Sequence, residues 1–332
     1  MKNWIERMKY TMNSAKRGNR FVFLLILFSV IIVNVMGIIL SIQERTLTTV
    51  QSILFSQVVL ISLPIILYFV FTRANVKNTL LLHKMDTINV LLAIGIGIFI
   101  QPFLGLINLL SQIFFENQIA GTIEPLLQQP LWLLLTLVAV LPAINEEFLL
   151  RGILLTNYEH VPLVKAALMN GLFFGLLHQN ANQFTYAFAM GIMLFLLVKI
   201  TGSVYAGMIV HFIVNGTNMV LAKLLTVLQN IFSSFVESDA FVTAQTSEVS
   251  VLSALPLYLV MTLFSLPLVY LFYKIAITHN KKQHLFTKKH VDQDTLEGPK
   301  RKVFDGYVIG SIILFLIIFF LNELLPLLLP AA

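Results

Sequence analysis

Apolar residues arrive along this chain in blocks of about twenty, each closed by a cluster of charged or turn-forming residues. The blocks show neither the strict alternation of half-buried strands nor the single apolar stripe of a surface helix. About twenty residues at about 1.5 Å each cross a hydrocarbon core of about 30 Å. Inside such a core every backbone N–H and C=O must be satisfied within its own segment, so the blocks read as helices. Nine candidate spans follow: about 21–42, 51–71, 88–114, 131–157, 163–178, 184–200, 203–225, 251–273 and 307–329, of which the fifth and sixth are short. The expected fold class is therefore all-α, a polytopic helical membrane protein of about nine (eight to nine) transmembrane helices.

Composition agrees with the pattern. Of 332 residues 58% are apolar and 11% charged, with a mean hydropathy of +0.86. A soluble domain carries about 25% charged residues, so a soluble enzyme is excluded. The absence of cysteine removes disulfides, thiolate metal sites and a cysteine nucleophile. With the N-terminus placed in the cytoplasm, 20 of the 22 basic residues fall on inside segments and only Arg45 and Lys223 outside, the asymmetry the positive-inside rule demands. The net charge of +6 is thus an orientation signal; the basic residues flank spans and form no stripe on a soluble module, so no nucleic-acid partner is expected.

The first apolar run, about 22 residues, exceeds the 7–15 of a secretory signal and is expected to stay as an anchor. Ahead of it Trp4, Met8 and Met12 recur at helical spacing among Lys and Arg, which suits either an interfacial helix on the inner leaflet or a basic tail. The organisation expected is a basic cytoplasmic segment 1–20, a transmembrane region 21–129, a core 130–225, an extracytoplasmic loop 226–250, and a C-terminal membrane region 251–332 with a basic cytoplasmic loop 278–305.

Subtracting loops leaves very few polar side chains at bilayer depth. His83, His160, His279, His284 and His290 fall in cytoplasmic loops, whereas His178 and His211 are intramembrane. Of sixteen acidic residues only Glu146 and Glu147 lie well inside a span, with Glu323 nearer the outer end of the last. A charge at mid-bilayer costs about 2.5–3.5 kcal/mol on insertion scales, so two adjacent glutamates need water, a partner or a proton. Glu147 and Arg151 form an i, i+4 pair in the favourable orientation; Glu146 points about 100° away round the helix, without that partner. Gly171 and Gly175 keep one face of the His178 helix small enough for a neighbour to approach. His211 and Asn215 share a face, with Gly207 a turn earlier. Counted from the nearest cytoplasmic loop, Glu146 lies about 16 Å deep, His178 about 24 Å, His211 about 14 Å and Asn215 about 20 Å, as one shared site on three helices requires. Taken singly, such histidines and asparagines are packing residues, and Glu146, Glu147 and Arg151 alone would equally make a structural ion-pair network.

A carboxylate and an imidazole around one water can activate it against a carbonyl, while imidazole N–H and amide NH₂ groups stabilise the oxyanion. The sequence holds no His-Glu-x-x-His, no Gly-x-Ser-x-Gly and no second intramembrane aspartate. Glu-Glu-x-x-x-Arg at 146–151, Phe-x-x-x-His at 174–178 and His-x-x-x-Asn at 211–215, in this order on successive spans, resemble the CAAX protease and bacteriocin-processing family of intramembrane glutamate proteases. The resemblance covers about residues 130–225. It implies that Glu146 is the catalytic glutamate, that His178 helps it activate water, that His211 and Asn215 form the oxyanion site, and that Glu147 and Arg151 hold the site together or orient substrate. Phe174 and Gly152 read as packing.

The expectation is an intramembrane endopeptidase with no cofactor, acting on a membrane-associated peptide or protein in a multi-pass, bacterial plasma membrane. Three alternatives keep the same residues. Glu146, His178 and His211 would make an acceptable first shell for zinc; the chain would serve without turnover, in bacteriocin self-immunity or as a scaffold; or paired His and Glu would relay protons in a transporter, for which the third span, with Gly95, Gly97, Pro102 and Gly105, is the obviously interruptible one.

Overall fold

The computed structural model describes residues 14–117, 120–235, 251–286 and 303–328. These form α-helices with no strand among the described residues. Among the described residues eight helices are long and apolar enough to cross a membrane: α1 (Ser14–Ile42), α2 (Thr49–Thr72), α3 (Thr87–Gln112), α4 (Leu131–Asn157), α6 (Ala181–Thr201), α7 (Val204–Phe235), α8 (Val251–His279) and α9 (Gly306–Leu324). The expected fifth span is α5 (Leu163–Leu177), apolar but only 15 residues long. At about 1.5 Å per residue it reaches about 22 Å, short of a full crossing. The chain is a multi-pass all-α membrane protein.

Several boundaries move. α1 starts at Ser14, so residues 14–20, read from their charge as lying ahead of the span, continue its helix, while 1–13 lie outside the described residues. α7 runs on to Phe235, past the start of the expected loop at 226; residues 236–250, and 287–302 of the basic loop, also lie outside the description.

One end of the bundle gathers the basic flanks. Ser203 Oγ donates to His83 O, Val204 N to Leu81 O, Thr156 Oγ1 to Thr79 O, and His279 Nε2 to Asp86 Oδ2, while Asn19 Nδ2 donates to Val303 O. The start of α1, the α2–α3, α4–α5 and α6–α7 connections, the end of α8 and the start of α9 therefore share a level. By the positive-inside rule this is the cytoplasmic end. Asp86 caps α3 there, and the backbone N–H of Asn89, followed by His279, holds its carboxyl below the ordinary value. At the opposite end Lys223 of α7 donates to the carbonyls of Leu127, the last residue of a short helix (Ala120–Leu127), and of Gln129 just past it, where a cation is favoured.

Interruptions are more widespread than expected. α3 does break at Ile100, just before Pro102. In addition, α2, α4 and α9 each widen into a π turn ending two residues before a proline: Ser56–Ser62 before Pro64, Thr136–Val140 before Pro142 and Phe320–Leu324 before Pro326. Proline has no N–H for the carbonyl four residues back and its ring crowds that carbonyl, so a wider turn accommodates it. α4 has a second π turn, Phe148–Leu154, with no proline behind it.

Candidate active site

The two π turns of α4 bracket Leu141–Glu147, the segment that carries both glutamates. A carbonyl in each widened turn is taken by an asparagine from a neighbouring helix. Asn215 Nδ2 of α7 donates to Val138 O at 3.0 Å, and Val138 is the residue four before Pro142. Asn170 Nδ2 of α5 donates to Leu150 O at 2.9 Å. The π turn of α2 follows the same rule: Asn145 Nδ2 reaches Gln57 O at 3.2 Å and Gln57 Oε1 at 3.0 Å, and Ser62 Oγ donates to Asn145 Oδ1. In a hydrocarbon surrounding no water competes for these carbonyls, so the asparagines fix the rotation of α4 and with it the aim of Glu146 and Glu147.

Glu147 is fully buried and so is Arg151. The i, i+4 pair forms, with Arg151 Nη1 donating to Glu147 Oε1 at 2.9 Å. Arg151 Nη2 donates to Gly191 O of α6 at 3.2 Å, and its guanidinium carbon lies 4.7 Å above the centre of the Phe174 ring. Glu147 Oε1 also accepts from His211 Nδ1 at 2.9 Å. Because a carboxylate only accepts, this bond fixes the proton on Nδ1 and turns Nε2 outward. Nε2 lies 3.8 Å from Glu146 Oε2, beyond direct hydrogen-bond length but within ion-pair range. The Glu146 side chain is 15% exposed where Glu147 has no exposure at all. Adjacent in sequence, the two carboxylates thus stand on opposite sides of the His211 ring, one locked inside and one open.

His178 caps the end of α5, and its Nδ1 bonds to Phe174 O of its own helix at 2.8 Å. Phe174 joins it to the rest of the site: the ring lies edge-on to His178 at 5.1 Å and to His211 at 5.7 Å, besides carrying Arg151. Phe174, read from the sequence as packing, is buried and packs against three side chains of the site at once. α6 lies tightly against α5, as the glycines led one to expect. A Cβ at Gly171 would stand 2.7 Å from Phe188 O, and one at Gly191 would stand 2.7 Å from Gly171 Cα. On the other flank a Cβ at Gly207 would strike Glu147 Oε2.

The turn after His178 is pinned from two distant helices. Gln179 adopts φ +51°, a left-handed conformation unfavourable for a side-chain-bearing residue. Its Nε2 donates to Ser29 Oγ of α1 at 2.8 Å, and Ala181 N donates to Glu323 Oε1 of α9 at 3.2 Å. Glu323, the one acidic residue of the last span, thus sits at the N-terminus of α6, where backbone N–H groups and the helix dipole favour a carboxylate. Sequence reasoning missed Asn145, Asn170, Ser29 and Gln179. The asparagines had a usable signal, an amide inside an apolar run, as at Asn215; the Ser29 and Gln179 pairing had none.

The six residues singled out from sequence are placed as follows. Glu146, Glu147, Arg151 and His211 form one contiguous cluster, His178 joins it through Phe174, and Asn215 sits one turn beyond His211 with one amide N–H on Val138. Among the described residues no three His, Asp or Glu side chains converge as a metal-ligand set.

Residues 128–217 match the family model described as Type II CAAX prenyl endopeptidase Rce1-like. The matched stretch runs through α4, α5, α6 and the first half of α7 and holds all three motifs. No curated protein and no solved structure matches the chain. From α4 to the middle of α7, therefore, this chain is similar to the Rce1-like Type II CAAX prenyl endopeptidases.

Proposed function

We propose that this protein is an intramembrane endopeptidase that hydrolyses a peptide bond of a membrane-associated peptide or protein with a water activated by Glu146. The observation that carries the reading is the division of labour between the adjacent glutamates. Glu147 is spent on Arg151 and His211, whereas Glu146 is open, unbonded to Arg151 and 3.8 Å from the outward nitrogen of His211. In this reading Glu146 takes a proton from water, and the resulting hydroxide attacks the scissile carbonyl carbon. His178, its Nδ1 fixed on Phe174 O, offers Nε2 to the same water. Negative charge gathers on the carbonyl oxygen, which receives the Nε2–H of a doubly protonated His211 and the second N–H of Asn215. Collapse breaks the C–N bond, and the proton held by Glu146 passes to the leaving amine. With His211 protonated, the charges of Glu146, Glu147, Arg151 and His211 sum to zero, the balance a low-dielectric site favours. Arg151, having no exposure, acts by holding Glu147 rather than by touching substrate.

The test is Glu146→Gln in purified protein reconstituted in vesicles with a membrane-tethered fluorogenic peptide library. Turnover should fall by about 10²–10⁴-fold with the melting temperature unchanged; full activity in the folded variant would reject the assignment.

The zinc alternative has one observation in its favour. Both histidines have Nδ1 fixed on an acceptor and Nε2 left over, which is how metal-binding imidazoles are oriented. Against it, the three donors do not converge. Elemental analysis of active, chelator-washed protein separates the two readings.

A further inference from the structure

A cavity of about 810 Å³ opens at the cytoplasmic end between α1, α2 and the end of α4, and none of the residues assigned above lines it. Its volume falls in the range of about 300–1,000 Å³ typical of ligand pockets. Its walls follow helical spacing on two facing helices, Phe21, Leu24 and Phe28 from α1 and Pro64, Leu67 and Phe71 from α2. Leu24, Leu67 and Phe71 are exposed, so much of this lining is apolar and open rather than closed core. The cytoplasmic mouth is basic. Arg17 and Arg20, one turn apart on α1, and Arg73, at the end of α2, line it together with His160, against Glu159 as the one acidic lining residue.

From this amphiphilic form we infer that the cavity is a binding site for an anionic phospholipid of the inner leaflet, with an acyl chain between α1 and α2 and the phosphate among Arg17, Arg20 and Arg73. Three features select this occupant. The three arginines against one glutamate call for an anion. Their level, at the end marked cytoplasmic by the basic flanks, is where anionic headgroups lie. The apolar wall continues for more than two turns beneath them, which a soluble phosphate would leave uncovered. The chain's own residues 1–13 carry Lys2, Arg7 and Lys9 against Glu6, so their charge has the wrong sign for this mouth.

The site also bears on α4. Thr156 and Asn157, at its end, line the cavity; Asn157 Nδ2 donates to Tyr68 OH, and α1 packs so closely here that a Cβ at Gly18 would stand 3.1 Å from Leu154. A lipid seated between α1 and α2 therefore closes the joint on which the glutamate-bearing helix rests. The inference does not depend on peptide hydrolysis.

Native mass spectrometry of the full chain, released from detergent and titrated with dioleoyl phosphatidylglycerol or dioleoyl phosphatidylcholine, tests it. One phosphatidylglycerol should remain bound, at least tenfold tighter than phosphatidylcholine. The triple variant R17Q/R20Q/R73Q, all at exposed positions, should weaken phosphatidylglycerol by on the order of 100-fold, about fivefold for each arginine. The variant L24W/L67W, which fills the apolar part and keeps every charge, should weaken it as well. Equal binding of the two lipids by the native chain overturns the inference without any variant. Unchanged affinity in L24W/L67W would show a surface attraction instead of a pocket, and competition by glycerol phosphate alone would show a phosphate site; either outcome also overturns it.

Discussion

Arg151 illustrates how much one fully buried side chain must do within a membrane. Its guanidinium meets a carboxylate, a backbone carbonyl and an aromatic face, each on a different helix or turn: Glu147, Gly191 O and the Phe174 ring. Lysine, with a point charge and no planar fork, serves these three partners poorly. Arg151→Lys is therefore expected to lower activity sharply although charge is preserved. Glu147→Gln removes the negative member of a fully buried pair and should destabilise the protein by about 3–5 kcal/mol, read as a fall in the thermal unfolding midpoint. Asn215 separates two roles. As a partner for Val138 O alone, its replacement by leucine would cost about 1 kcal/mol of stability and leave turnover per folded molecule intact. As an oxyanion donor it should in addition cost about 10²-fold in turnover, and a kinetic assay normalised to folded protein reads the difference.

At the scale of elements, the helices of this protein work through their irregularities. Among the described residues three of the four π turns precede a proline, and three of the four, all but Phe320–Leu324, have a carbonyl captured by an asparagine. The short helix α5 stops at Leu177 with His178 as its cap, and the half-buried turn that follows is held against other helices, a setting in which non-helical backbone is tolerated at membrane depth. That turn stores strain at Gln179 and depends on Ser29 and Glu323 to hold it. If these two bonds position His178, Ser29→Ala and Glu323→Leu should lower kcat by about tenfold with KM unchanged, and Glu323→Gln, which still offers an oxygen to Ala181 N, should restore most of the loss. A kcat that stays at the native value in both variants, with His178→Ala inactive, would show that the turn holds itself. The sequence made the existence of these elements legible because apolar length is a local property. It made Glu146, Glu147, His178 and His211 legible because a polar side chain is so costly at that depth that each one stands out. The shortness of α5 was legible too, but the π turns and the Ser29 and Glu323 contacts were not, since they depend on which helix lies alongside. The start of α1 was left open for a related reason: Lys16, Arg17 and Arg20 read as a basic segment ahead of the span, tail or interfacial helix, whereas the helix begins at Ser14 and keeps its backbone hydrogen bonds while long basic side chains reach out to the interface.

The whole molecule is larger than its family-matched part, and the contacts say why the remainder is needed. Residues 128–217 hold the three motifs, yet α4 is oriented by Gln57 and Ser62 of α2 and seated on Gly18 of α1, Tyr158 just beyond it donates to Asn19, and the His178 turn is pinned by α1 and α9. From the far side, Tyr273 of α8 donates to Met193 O at 2.7 Å, half a turn from the Gly191 carbonyl that Arg151 uses. In lipid there is no hydrophobic drive to gather helices, so packing and such polar contacts must supply the association. Residues 128–225 expressed alone should accordingly insert but lack activity. The chain divided at Glu116, an exposed position between α3 and α4, is expected to behave differently. Residues 1–116 and 117–332, co-expressed, retain every contact named here, because none requires continuity across that connection. Helices inserted separately can associate afterwards, so the two pieces should copurify and recover activity. Copurification without activity would place a requirement in the connection itself, and activity from 128–225 alone would show that the outer helices serve something other than the site.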